Sequence, residues 1–133
     1  MPAPAEFTLT ILRRRNEESG LVSTVFRFAT IREFRSFRYE IQVEDSFDPE
    51  SRRIGFRIFG VQAPAHLMPG AGAAYREISY PGLQGEYLVS YAGAKKSGEF
   101  RFRVDDEGIA IVEAPEEDGL RIGVEKGIEN IRQ

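Results

Sequence analysis

Phe37-Arg38-Tyr39-Glu40-Ile41-Gln42-Val43-Glu44 is the stretch whose reading decides the fold class. Apolar and polar residues alternate through four successive pairs, a period of two. Successive side chains of a strand point to opposite faces, so this segment reads as a strand with one face buried and one in water. The same period runs outward in both directions. Upstream, Phe7, Leu9 and Ile11 alternate with Thr8 and Thr10, and Val22, Thr24, Phe26 and Phe28 alternate with Ser23, Val25 and Arg27. Downstream, Ile54, Phe56 and Ile58 alternate with Arg53, Gly55 and Arg57.

Further strands are read over Tyr75–Tyr80, Glu86–Ala92, Phe100–Val104 and Ile109–Ala114, with a short ninth through Leu120, Ile122 and Val124. Turn-forming clusters separate them: Asn16–Gly20, a loop over Asp45–Ser51, Pro81-Gly82, Gly93–Gly98, Asp105–Gly108 and Pro115–Gly119. Gly, Pro, Asn and Asp serve there because they reach the backbone angles that turns need. The segment from Gln62 to Ala74 is a long apolar loop, residues 1–5 are a flexible lead-in, and the tail 126–133 suggests a turn of helix through Ile128 and Ile131. No stretch of ten residues carries a helical stripe. The expectation is therefore an all-β, single-domain antiparallel β-sandwich of eight or nine strands over residues 1–133, immunoglobulin-like in general architecture. The alternative is an up-and-down β-barrel.

One passage separates these two. Ile78-Ser79-Tyr80-Pro81-Gly82-Leu83-Gln84-Gly85-Glu86-Tyr87-Leu88-Val89-Ser90-Tyr91 resembles the strand–corner–strand passage of fibronectin type III and other immunoglobulin-like domains. In those domains a Tyr begins the penultimate strand and its hydroxyl bonds to upstream backbone. The resemblance places Tyr87 at that position and favours a sandwich over a barrel. The immunoglobulin Cys pair and core Trp have no counterpart in this sequence.

Composition excludes several chemistries. The 133 residues contain no Cys, which removes a disulfide scaffold, Cys-ligated zinc or iron–sulfur, and a Cys nucleophile. The single histidine, His66, removes a His-rich metal site. A net charge of −3 argues against a basic nucleic-acid binder. The 15 Arg against 3 Lys read as the mark of a GC-rich bacterial genome. No apolar run approaches the ~18–20 residues of a membrane-spanning helix, and Met1–Glu6 lacks a basic signal-peptide start, so the expected location is cytoplasmic.

The remaining candidates are weighed by what each residue type can do. His66 lacks local partners for base catalysis, since no G-x-S-x-G elbow exists. Acidic clusters at Asp45/Asp48/Glu50, Asp105/Asp106/Glu107 and Glu116/Glu117/Asp118 fit no calcium-loop spacing and read as turn chemistry. A carboxylate-based hydrolase needs two carboxylates about 5–10 Å apart; cross-strand neighbours such as Glu86 and Glu99 could meet that distance, as could many pairs on any β-sheet, and the sequence selects none. Arg interleaves with aromatics in Phe26-Arg27-Phe28 and Phe100-Arg101-Phe102-Arg103, but alternation sends the Arg outward and the rings inward.

Two features point to contact surfaces. Val104–Gln133 holds nine acidic and three basic residues, whereas Arg13–Arg103 holds 15 basic and 11 acidic. The apolar loop supplies a possible interaction patch at Pro64, His66, Leu67, Met68 and Pro69. The functional expectation is a non-catalytic module for protein–protein interaction or self-association, with no catalytic residues, cofactor, metal, nucleic acid or membrane partner. The alternatives are a lipocalin-like barrel binding a small apolar ligand and a carboxylate-based hydrolase.

Overall fold

A computed structural model describes residues 7–34, 40–62, 72–93, 97–113 and 120–131. Nine strands fill these segments: β1 (Phe7–Asn16), β2 (Val22–Phe34), β3 (Glu40–Asp48), β4 (Arg53–Gln62), β5 (Gly72–Pro81), β6 (Gly85–Ala92), β7 (Ser97–Asp105), β8 (Gly108–Glu113) and β9 (Leu120–Ile131). The described residues contain no helix. The period-two reading holds at side-chain level. On β7, Phe100, Phe102 and Val104 are buried, while Glu99, Arg101 and Arg103 are exposed. On β4, Ile54, Phe56 and Ile58 are buried, with Arg53 and Arg57 exposed.

The strands run in the order β8-β7-β6-β4-β3-β5-β2-β1-β9. The central junction is thin: among the described residues, β3 and β5 pair only through Glu40 and Tyr75. The order therefore divides into a five-stranded sheet, β8-β7-β6-β4-β3, and a four-stranded sheet, β5-β2-β1-β9. These face each other across the core. Phe26 and Phe28 of β2 meet the Phe56 ring of β4 at 5.1 and 5.0 Å, and Phe26 meets Phe102 of β7 at 5.5 Å. All three contacts join one sheet to the other. Tilted and edge-on rings fill the space between the sheets and add specific contacts to the apolar burial. Five residues further along both strands, Tyr80 on β5 donates a hydroxyl hydrogen bond to the Asp45 carboxylate on β3. Burial and this bond raise the Tyr80 hydroxyl well above its ordinary pKa.

Four expectations need correction. First, the assembly is mixed, not antiparallel: β1/β9, β3/β5 and β4/β6 are parallel pairs. A tight hairpin makes only antiparallel neighbours, whereas a connection that leaves the sheet and returns permits parallel ones. After β4 the chain builds β5 in the other sheet before returning as β6 beside β4. Second, the up-and-down barrel does not form. β8 and β9 stand at opposite ends of the strand order, and among the described residues no hydrogen-bonded pairing joins them to close the ring. Third, the loop read over Asp45–Ser51 is largely strand. β3 continues to Asp48, which pairs with Arg53, and only the residues between them turn. Fourth, the helical turn read through Ile128 and Ile131 is strand. β9 bulges between Val124 and Ile128, then resumes pairing with Arg13–Asn16 of β1. The long loop is also shorter than read, since β4 reaches Gln62 and β5 starts at Gly72.

The resemblance at Tyr87 is met in its local contact. The Tyr87 hydroxyl accepts the Gln84 N–H at 3.3 Å, and Arg52 closes the corner, its guanidinium 4.9 Å from the Tyr87 ring centroid and Nη1 2.7 Å from the Gln84 carbonyl. Yet Tyr87 lies on the sixth of nine strands, not the penultimate one. One glycine is needed for close approach. Gly98 pairs with Tyr91, and a Cβ there would fall 2.6 Å from the Tyr91 hydroxyl.

Candidate functional site

The residues nominated from the apolar loop, Pro64, His66, Leu67, Met68 and Pro69, lie outside the described residues, as do Glu116, Glu117 and Asp118. In the other two clusters Asp48 and Asp105 serve their own turns, whereas Asp45 lies within β3 and accepts from Tyr80. Asp48 Oδ1 accepts the N–H groups of Glu50 and Ser51 at 3.1 and 3.4 Å. Hydrogen bonds from Ser51, side chain first, hold the Asp48 carboxyl below its ordinary pKa. Asp105 Oδ1 likewise accepts from Glu107 and Gly108 at 2.9 and 3.1 Å. No group of three metal-ligating side chains occurs among the described residues.

The hydrolase pair is not brought together. Glu86 pairs with Arg103, and Glu99 lies four residues along β7, opposite Ser90. At ~3.4 Å per residue that offset is about 14 Å, beyond the ~5–10 Å a two-carboxylate mechanism uses. The reading failed because hairpin register depends on the turn, which fixes which residues meet.

The charge asymmetry is partly absorbed within the fold. On the outer face of the four-stranded sheet, Arg14 forms a two-pronged contact with Glu77, Nη1–Oε1 3.1 Å and Nη2–Oε2 2.9 Å, and bonds Glu129 through Nε at 3.2 Å. Arg27 Nε reaches Glu77 at 2.8 Å, with Glu129 at 3.5 Å and Glu125 at 3.8 Å from its other nitrogens. Acidic residues of β9 thus face basic residues of β1 and β2. The Arg14 hydrogen bonds, followed by those of Arg27, hold the Glu77 carboxyl below its ordinary pKa.

Among the described residues, the last part of β4 presents an open edge. Its pairing with β6 ends at Arg57 opposite Ala92, so Ile58–Gln62 has β3 alone as a strand neighbour among the described residues. A register shift between Gln42 and Val43 sets Phe59 in a bulge beside Gly60, whose φ of 127° suits glycine. Phe59 is 50% exposed and Val61 38%. The Arg57 guanidinium lies 5.8 Å from the Phe59 ring centroid. Sequence reading passed over these two residues. The available signal was the apolar doublet Ile58-Phe59, which breaks the alternation and marks the bulge.

No protein-family model, curated protein or solved structure matches the chain.

Proposed function

We propose that this chain is a non-catalytic β-sandwich module, immunoglobulin-like in general architecture, that serves protein–protein interaction or assembly. The observation that carries this reading is the open section of β4. An unpaired strand edge offers backbone donors and acceptors to an incoming strand. Exposed Phe59 and Val61, with Arg57 stacked on Phe59, add the residue types that dominate interface energetics. The two-sheet core and the Tyr87 corner support the architectural part of the proposal. The reading places the contact surface on β4, next to the apolar loop in sequence.

The test is a double variant, Phe59→Ser with Val61→Thr, compared with the native chain by size-exclusion chromatography with light scattering. A native mass that rises above 15.0 kDa with concentration, and a variant that stays monomeric, supports self-association. A pull-down from native cells extends the test to other partners, with retention by the native chain and loss by the variant as the expected result. A native protein that is strictly monomeric and retains no partner sensitive to these residues overturns the reading.

A further inference from the structure

Ile41, Val43, Asp45 and Phe47 stand on one face of β3, because strand side chains alternate. Ile41 and Val43 are buried in the core, so the next position of that face is Asp45, a carboxylate at the rim. A carboxylate on an inward face needs water or a polar partner. Its partner comes from the other sheet, the Tyr80 hydroxyl of β5. Phe47 reaches the same way. Its ring centroid lies 5.1 Å from that of Tyr80 and 6.3 Å from that of Tyr87, and the ring is partly exposed.

Little backbone joins the two strands that these side chains bridge. β3 pairs with β4 from Glu40 to Asp48, and β5 pairs with β2 along most of its length. Between β3 and β5 the described residues pair at Glu40 and Tyr75 alone. Each strand thus belongs firmly to its own sheet, and past that junction side chains hold the seam. Elements tied by few backbone bonds open at a lower free energy than the whole fold. Behind the seam, Phe26 and Phe28 of β2 pack on Phe56 of β4, which keeps the sheets together when the edges of β3 and β5 part. The raised pKa of the Tyr80 hydroxyl keeps it protonated, and so a donor, across the ordinary pH range.

We propose that the Tyr80–Asp45 bond is a latch on the β3–β5 seam, and that this seam opens locally, without global unfolding, to admit small solutes as far as Val43. The inference does not rest on a protein partner at β4.

The chain contains no cysteine, so one introduced thiol reports on one site. Val43→Cys places a thiol on β3 behind the latch, and Val89→Cys places one in the fully buried middle of β6 as the reference. Labelling by the neutral reagent dithiodipyridine, where the rate is proportional to reagent, follows the opening equilibrium at each site. Val43→Cys should react at least about tenfold faster than Val89→Cys, and low urea should speed only Val89→Cys, because local opening exposes little surface. Tyr80→Phe keeps the ring and removes the hydroxyl, so it should speed Val43→Cys about tenfold, the loss of one hydrogen bond to a charged group. Asp45→Ala should do the same, and the two together no more than either. Val104→Ala, a core truncation on β7, should speed Val89→Cys about tenfold and leave Val43→Cys unchanged. Equal labelling of the two thiols, a Val43→Cys rate unmoved by Tyr80→Phe, additive effects of Tyr80→Phe and Asp45→Ala, or equal acceleration of both thiols by Val104→Ala would each overturn the proposal.

Discussion

The two sheets turn different outer faces to water. The outer face of β8-β7-β6-β4-β3 carries Gln42, Glu44, Arg53, Arg57, Ser90, Glu99, Arg101 and Arg103, all exposed. One ion pair there is loose: Arg103 Nε lies 3.7 Å from Asp105, with the Arg103 side chain 58% exposed. The outer face of β5-β2-β1-β9 buries Leu12 and Val25 completely, although both point away from the core cluster. These two pair across β1 and β2. Arg14 lies one rung beyond them, and Arg27 and Glu77 lie one rung before them. The Arg14–Glu77 contact thus runs diagonally over the Leu12–Val25 rung. Arginine and glutamate stems can cover apolar surface while their charged ends pair above it. Charges of the same kind are therefore structural on one face and solvated on the other. What separates them is the apolar pair underneath.

The largest expected effect is at that pair. Leu12→Ala should cost about 3 kcal/mol, the usual loss for a buried leucine, measured by urea unfolding. Val112→Ala, at the 51% exposed Val112 of β8, should cost less than about 0.5 kcal/mol. Equal losses at the two sites would remove the distinction between the faces. Next comes Glu77, which joins both arginines. Glu77→Gln should cost about 1 kcal/mol, because it removes the two-pronged contact with Arg14 and the 2.8 Å contact with Arg27 and leaves both guanidinium groups with the more exposed Glu129.

Glu77 also sets a pH signature. Its folded pKa lies below the unfolded value, so its contribution is fully present above the ordinary carboxylate range. That contribution is lost as pH falls through the folded value. Urea midpoints of the native chain should drop on acidification below about pH 5, and those of Glu77→Gln should drop less over the same window. Matching slopes would show that Glu77 does not carry the effect. The smallest effect belongs to Arg103→Ala on the other face, expected within about 0.5 kcal/mol. A loss as large as that of Glu77→Gln would place structural ion pairing on both faces.

The closed face was only half visible in the sequence. Leu12 follows Ile11 where alternation calls for a polar residue, and Val25 sits among Ser23 and Arg27 on a face read as polar. Each looked like an isolated exception. Their significance comes from standing opposite each other, and from Glu77, Glu125 and Glu129 arriving over them from distant parts of the chain. The bulge on β4 was similar, legible as the Ile58-Phe59 doublet but without meaning until the β6 partner ended at Arg57. Arg13 continues the inward period of Phe7, Leu9 and Ile11, but alternation does not show that it stays buried while Arg15, two residues on, is exposed.

The sequence by itself determined the all-β character and, for most described strand positions, which side chains are buried. Strand alternation is a local property, carried by residues two apart, so it survives in a single chain read end to end. The tertiary structure decided which strands pair, which pairs are parallel, and that two sheets face each other without closing into a barrel. It also decided which arginines are covered and which meet water. Those outcomes depend on contacts between residues tens of positions apart, and many strand registers present the same alternation. Only the packing of both sheets selects among them.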